Sequence, residues 1–576
     1  MSARPRDALR IGNSSGFYGD RQSAMWEMLE GGPLDVLTGD YLAELTMLIL
    51  GKDLLKDPTL GYARSFVRQL EACLGTALER GVRIVSNAGG LNPAGLAEKV
   101  REVARGLGLD PAVAHVEGDD LRDRGFAGAL TANAYLGGFG IAAALKAGAD
   151  VVVTGRVTDA SLVVGPAVAH HGWTVEQYDE LAGAVVAGHV LECGAHATGG
   201  NFSGFASLPE AARSRPIGFP LAEIAADGSS VITKHQGTGG AVTLDTVTAQ
   251  LLYEVQTTRY VGPDVTVDLT SVELAAAGAD RVAISGVRGE PPPELLKVGV
   301  NELGGYRNNV ELVLTGLEIE EKAAWVREQL TTALDPAPAT VVWSPLTLPE
   351  PDADTEEAAS VRLRCTVQDP SPEPVGRSFT AAAVELALAS YPGFTMTAPP
   401  SPATPYGVYG AEYVARSAVT HTVVHADGRR EVVPDPAVWT HTAATRRDEE
   451  PFVPDPGSDT LTRRLPLGTF VHARSGDKGG DANLGLWVAH TDPEKYDARV
   501  QWLSKLITPT RIRELVPEAA DLDVEVHALP NLGGVNVLLP GLLGQGVAAS
   551  TRFDPQAKGL GEWVRSRYVS IEEGLL

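Results

Sequence analysis

The chain has 576 residues, 44% hydrophobic and 21% charged, and a formal net charge of -25. That length allows several domains and a large core. The acidity argues against nucleic acid and against an anionic membrane surface, because both draw on clustered Lys and Arg. A small anionic ligand stays possible, since backbone N–H groups and one or two cations outweigh the global field locally.

In chain order, one unit recurs: a short apolar strand runs straight into a loop rich in Gly, Asn, Ser and Thr. Leu9 to Ile11 leads into Gly12-Asn13-Ser14-Ser15-Gly16, and Asp35 to Thr38 leads into Gly39-Asp40 and then an apolar helix from Tyr41 to Leu50. Val82 to Val85 leads into Ser86-Asn87-Ala88-Gly89-Gly90. Asn92-Pro93 then predicts a helix start, with Asn as cap and Pro in the first turn, and Leu96, Val100, Val103 and Leu107 recur at helical spacing. Val113 to Val116 reads as the next strand, and Val151 to Val153 leads into Thr154-Gly155-Arg156. Strands and helices alternating in this way imply an α/β domain with a mostly parallel sheet. Its ligand loops would gather at the carboxyl ends of the strands.

Further along, Thr174 to Leu191 and Glu320 to Leu330 read as helices. Val231 to Thr233, Val265 to Leu269 and the alternating Val361 to Val367 read as strands. Residues 443–460, rich in charge and proline, read as a linker between a domain over 8–442 and a smaller α+β domain over 461–576. Three cysteines, Cys73, Cys193 and Cys365, cannot form a disulfide framework and fit a reducing compartment. The first residues lack an apolar signal core, and the longest apolar stretch, Ile141 to Val153, is broken by Lys146 and Asp150. These features lead us to expect a cytoplasmic protein.

Several loops carry candidate chemistry. The first does not match the dinucleotide pattern Gly-x-Gly-x-x-Gly, and no P-loop Lys follows it, which argues against a nicotinamide or flavin enzyme. In Gly155-Arg156-Val157-Thr158-Asp159, Arg156 suits a carboxylate or phosphate, and Asp159 is equally a base or a helix cap. His189, Glu192, Cys193 and His196 are all competent metal ligands, yet Gly194 ends the helix that would align them and the spacing matches no established zinc pattern. Lys234-His235-Gln236-Gly237 joins a cation and an imidazole to a flexible turn, which suits an oxyanion or equally a plain polar turn. The twelve residues Arg474-Ser475-Gly476-Asp477-Lys478-Gly479-Gly480-Asp481-Ala482-Asn483-Leu484-Gly485 read as a binding or interface loop after a strand ending at His472.

Taken together the motifs resemble one family, the acyclic terpene utilisation proteins of the AtuA type. The resemblance rests on Gly12 to Asp20, Thr38 to Glu44, Ser86 to Pro93, Gly155 to Asp159, Glu192-Cys193-Gly194 with Thr198 to Asn201, and Arg474 to Asp481. It implies a large N-terminal α/β domain with a smaller ferredoxin-like α+β domain after it. It also implies a role in degrading acyclic terpenoids and branched acyl groups as coenzyme A thioesters, with no defined reaction.

The leading expectation is therefore a catabolic enzyme performing hydration, lyase chemistry or hydrolysis on an acyl-CoA. Coenzyme A would be part of the substrate, and no other cofactor or metal is assigned. Asp40, Asp159, His235 and His196 are the acid–base candidates. Asn13, Ser14, Asn87, Gly89, Gly90, Arg156, Gly199, Lys234, Arg474 and Lys478 are the substrate-binding candidates. The alternative is a non-catalytic assembly partner of an acyl-CoA carboxylase, with the segment from Arg474 as its interface. A homo-oligomer is expected from the base rate for soluble enzymes.

Overall fold

A computed structural model describes residues 8–441 and 461–576; the linker expected at 443–460 lies outside the described residues. The chain divides into two compact units, one made of Met1–Asn301, Tyr409–Val547 and Gln556–Leu576, the other of Glu302–Val408 and Ala548–Pro555.

The first unit is built on an eleven-stranded sheet. Its centre holds β1 (Leu9–Asn13), β2 (Val36–Gly39), β3 (Arg83–Ser86) and β4 (Val113–Glu117). A separate strand, β5 (Thr131–Ala134), pairs instead with Val298 to Asn301, and β6 (Val151–Thr154) lies between β3 and β4. The five central strands run parallel in the order β1-β2-β3-β6-β4. Antiparallel strands extend both edges, beginning with β7 (Pro220–Ile224) and β8 (Ser230–Lys234) on the β1 side and Thr422–Val424 on the β4 side.

Parallel strands need both faces covered, and their alternating residues divide between two cores. Ile11, Val85 and Val152 face the helices Phe139–Lys146, Ser161–His171 and Tyr178–Glu192; Leu37, Ile84, Val151 and Val153 face Phe66, Leu70, Leu96 and Val100. The expected cap is present: Asn92 accepts the Gly95 N–H at 2.9 Å with Pro93 at the first helical position. Register pairs Asn13 with Thr38, Gly39 with Ser86 and Ser86 with Val153, so the carboxyl ends of these strands are level. Their loops open at one edge of the sheet.

The ferredoxin-like part lies in the same unit. Its four-stranded sheet begins with the hairpin Val471–Lys478 and Asp481–Val488, followed in space by Gly534–Leu539 and Glu525–Leu529. The segment from Arg474 to Gly485, expected as a loop, is thus mostly strand, with only Gly479-Gly480 at the turn. Both faces of this hairpin are covered, which hides the strand alternation in the sequence. One face packs on the protein's own core, where a Cβ on Gly485 would lie 2.5 Å from the Leu252 carbonyl oxygen. Asp245, on helix Leu244–Leu251, accepts from Trp487 Nε1 at 3.1 Å and from His490 Nδ1 at 2.8 Å, tying the two parts together.

The second unit is an antiparallel sheet in which Tyr306 to Thr315 pairs with Ser360–Asp369, and that strand pairs with Thr340–Trp343. Helix Ile319–Ala333 covers it through Ala323, Val326 and Leu330, which meet Leu312, Leu363 and Cys365.

Candidate functional site

Four of the level strand ends deliver the first group of side chains. Asp40 follows β2, Asn87 follows β3, Arg156 and Asp159 follow β6, and Asp119 follows β4. Arg156 is buried; its Nη1 donates to the Leu42 carbonyl oxygen at 3.0 Å and forms an ion pair with Asp159 Oδ1 at 3.0 Å. Its guanidinium stacks over the Tyr135 ring at 4.3 Å. Asp40 Oδ1 accepts from Asn87 Nδ2 at 2.6 Å and from the Leu42 N–H at 3.0 Å. Burial pushes the Asp40 carboxyl well above the usual carboxylate range and the Asp159 charge adds to this, against Arg156 and Asn87. Asp40 is thus a buried acid that favours its protonated form, beside an ion pair. Asp119 supports the loop from behind by accepting the Arg156 N–H at 2.8 Å and Asn133 Nδ2 at 2.7 Å, and burial raises its pKa to about 7.

A second group comes from the end of helix Tyr178–Glu192 and from the ferredoxin-like hairpin. His189 Nδ1 lies 3.1 Å from Glu192 Oε1, one helical turn away. Burial works to lower the His189 pKa, but the Glu192 carboxylate overcomes it and the imidazole is raised; burial likewise raises Glu192. The two groups titrate as a pair rather than independently. His189 Nε2 and Glu192 Oε2 are buried with no hydrogen-bond partner in the structure, unusual for buried polar atoms.

Lys478, at the hairpin turn, ties the groups together. Burial works against its charge, yet Glu254, Glu192 and Asp159 together raise its pKa. Glu254 in turn is kept low against burial by Lys558 and Lys478. Its backbone is left-handed, φ 58°, a conformation that costs a non-glycine residue about 1–2 kcal/mol. The hairpin sheet offsets that cost: Asn483 Oδ1 accepts the Glu254 N–H at 2.7 Å, and Asn536 Nδ2 donates to the Val255 and Gln256 carbonyls at 3.1 and 3.2 Å.

Arg474 and His196 flank this group. Arg474 Nη2 donates to His196 Nδ1 at 2.5 Å and its guanidinium lies 4.5 Å from the Tyr253 ring centre, with Lys558 Nζ also against that ring at 4.9 Å. Burial first, then Arg474 and Lys558, depress the His196 pKa strongly, so the ring is a neutral acceptor. Burial keeps the Cys193 thiol protonated. Among the described residues no group of three or more His, Cys, Asp or Glu is arranged to hold a metal ion.

Asp40, Asn87, Arg156, Asp159, His196, Arg474 and Lys478 are thus part of one network. The remaining candidates serve the scaffold. Asn13 Nδ2 donates to the Leu191 and Glu192 carbonyls at 2.5 and 3.2 Å, fixing the helix end that carries Glu192. Ser14 Oγ donates to the Thr38 carbonyl at 3.1 Å. Gly89 and Gly90 pack against the Thr154 and Gly61 carbonyls, and Gly199 (φ 106°) ends a 3-10 turn. Lys234 is taken up by the Thr238 carbonyl at 3.0 Å and Asp280 at 3.2 Å, and His235 by the Met28 carbonyl at 3.0 Å. Neither joins the network.

Sequence reasoning missed Glu254, Lys558, Tyr135 and Lys297, whose Nζ lies 4.9 Å from the Tyr135 ring centre, as members of this network. Tyr135 had a signal: it directly follows the strand Thr131–Ala134, which enters a Gly-Gly loop at Gly137-Gly138 like the others. The other three stand in no motif.

Comparison with known proteins gives two results. A family model described as acyclic terpene utilisation family protein AtuA matches residues 9–425, and one described as AtuA ferredoxin-like domain matches residues 465–570. The chain belongs to the AtuA family. No curated protein and no solved structure matches it. The network draws on both matched regions, with Asp40, Asp159, Glu192 and Glu254 from the first and Arg474, Lys478 and Lys558 from the AtuA ferredoxin-like domain. Among the described residues no helix is long and apolar enough to cross a membrane.

Proposed function

We propose that this AtuA-family protein is a proton-transfer enzyme of acyclic terpenoid or branched acyl catabolism, acting on an acyl-CoA thioester by hydration, lyase chemistry or hydrolysis. One observation carries this reading: several buried acids in one network have their proton affinities driven apart, Asp40 upward and Glu254 downward. Titratable groups tuned in opposite directions are the arrangement acid–base catalysis uses. Burying so many charges is a poor route to stability alone. In this reading Asp40 donates a proton, Asp159 accepts one, and Lys478 or Arg474 holds the thioester oxygen or a carboxylate as charge develops. The enzyme would work in the cytoplasm, as a homo-oligomer.

The carboxylase-partner reading has less support. Its proposed interface is spent within the protein, since Arg474, Ser475, Gly476 and Ala482 to Gly485 are all buried. Native mass spectrometry against a panel of branched and terpenoid acyl-CoAs tests the choice. A gain or loss of water, or release of coenzyme A, is the expected result. An inert panel together with co-purification of carboxylase subunits would reverse it.

A further inference from the structure

Tyr135 is half-buried at the end of β5 and stands between two cations. The Arg156 guanidinium lies 4.3 Å from its ring centre and Lys297 Nζ lies 4.9 Å from it. Lys297 also faces the Tyr409 ring at 5.9 Å, and Gly299, two residues on, lets the two tyrosines converge: a Cβ there would sit 3.3 Å from Tyr409 and 3.4 Å from Tyr135. Two cations this close to a phenol favour its phenolate.

We propose that Tyr135 is a proton-transferring group of this site, with Lys297 as the cation that stabilises its phenolate. The proposal rests on the acid–base reading above and extends it to a residue outside the carboxylates. As a base, the phenolate oxygen takes a proton from an acidic C–H or O–H of the substrate and forms its own O–H bond. The electron pair of the broken bond stays on the substrate. The reverse step returns the proton. An acyl thioester offers such a C–H next to its carbonyl, where the resulting charge is delocalised.

The electrostatics agree with the geometry. Burial works to raise the Tyr135 pKa, but Arg156 and Lys297 overcome it, with Glu44 and Asp159 opposing them, and the phenol is lowered. The other tyrosines in contact with the network, Tyr253, Tyr260 and Tyr409, are all raised by burial. Tyr135 is therefore separable from them by titration.

The test is an ultraviolet difference titration of the full chain, following phenolate absorbance. The wild type has 14 tyrosines, and the proposal expects a step worth one of them below the ordinary tyrosine value of about 10. Tyr135→Phe abolishes that step. Lys297→Met keeps it but moves it up by about one pH unit or more, and this variant decides the matter if Tyr135→Phe does not fold. Loss of a merely structural phenol would not move another variant's titration in this way. A wild type with no early step, or an early step that survives Tyr135→Phe, overturns the proposal and leaves the Asp40 and Asp159 roles untouched. An early step assigned to Tyr135 supports it, even where the thioester panel is inert and the acid–base reading alone is at fault.

Discussion

Two turns in this protein have the same ingredients and opposite fates. Lys234 and Lys478 each end a strand, and each is followed by glycine-rich backbone. Lys234 satisfies its ammonium locally, on Thr238 four residues ahead and on the half-exposed Asp280. The charge of Lys478 is instead sustained by acids from three distant segments, Glu254, Glu192 and Asp159. A strand-end lysine beside glycines specifies accessible backbone and a cation. Whether it becomes a site depends on which carboxylates the fold brings up to it, and that is a tertiary property.

Paired substitutions sharpen this contrast. Lys478→Met removes one of the cations acting on the buried Glu254 and Glu192, leaving Lys558 and His189, and should destabilise the protein by about 1–3 kcal/mol in urea unfolding. Lys234→Met removes a partner from an acid that water already reaches, and should cost less than about 1 kcal/mol. Equal losses for the two lysines would erase the distinction. Asp119→Asn probes the loop that carries Arg156. Native Asp119 binds its proton more tightly than the unfolded chain, so between about pH 4 and 7 the folded state holds the extra proton and stability falls as pH rises. The Asn variant should lack that slope and be more stable at pH 8, by about 2–4 kcal/mol. Parallel stability–pH curves for wild type and variant would contradict the assignment. Asn483→Ala, which frees the Glu254 N–H, the Val255 carbonyl and Asn536 Oδ1, should cost about 1–3 kcal/mol, and Asn483→Asp should cost at least as much, because its carboxylate would face the two acceptors to which the amide donates.

The same contrast explains what was legible beforehand. The central strands of the sheet, the Asn92 cap and the alternating strand at Val361 to Val367 follow from local period and capping chemistry, and each is present. On the antiparallel edges β8 follows from Val231 to Thr233, whereas Thr422–Val424, only three residues long, carries no comparable signal. The hairpin segment from Arg474 to Gly485 reads as a loop because its glycines and charges resemble one, whereas Gly476 and Gly485 are there to let Tyr253 and Leu252 approach. Of the site, Asp40, Asn87, Arg156 and Asp159 were legible because each immediately follows a strand. Glu254 and Lys297 were not: Glu254 is an ordinary acid until the Asn483 and Asn536 side chains lock its segment, and Lys297 lies on a strand facing inward among neighbours that sequence alone does not pair with it.

The central claim is that the network around Asp159 and Lys478 performs proton transfer and that the Lys234 turn does not. It is met most directly by following conversion of the acyl-CoA panel with three proteins side by side: wild type, Asp159→Asn and Lys234→Met. The account predicts that one thioester is converted by wild type and Lys234→Met at similar rates, and by Asp159→Asn about 10²–10⁴-fold more slowly. Full turnover by Asp159→Asn, or its loss in Lys234→Met alone, would contradict it.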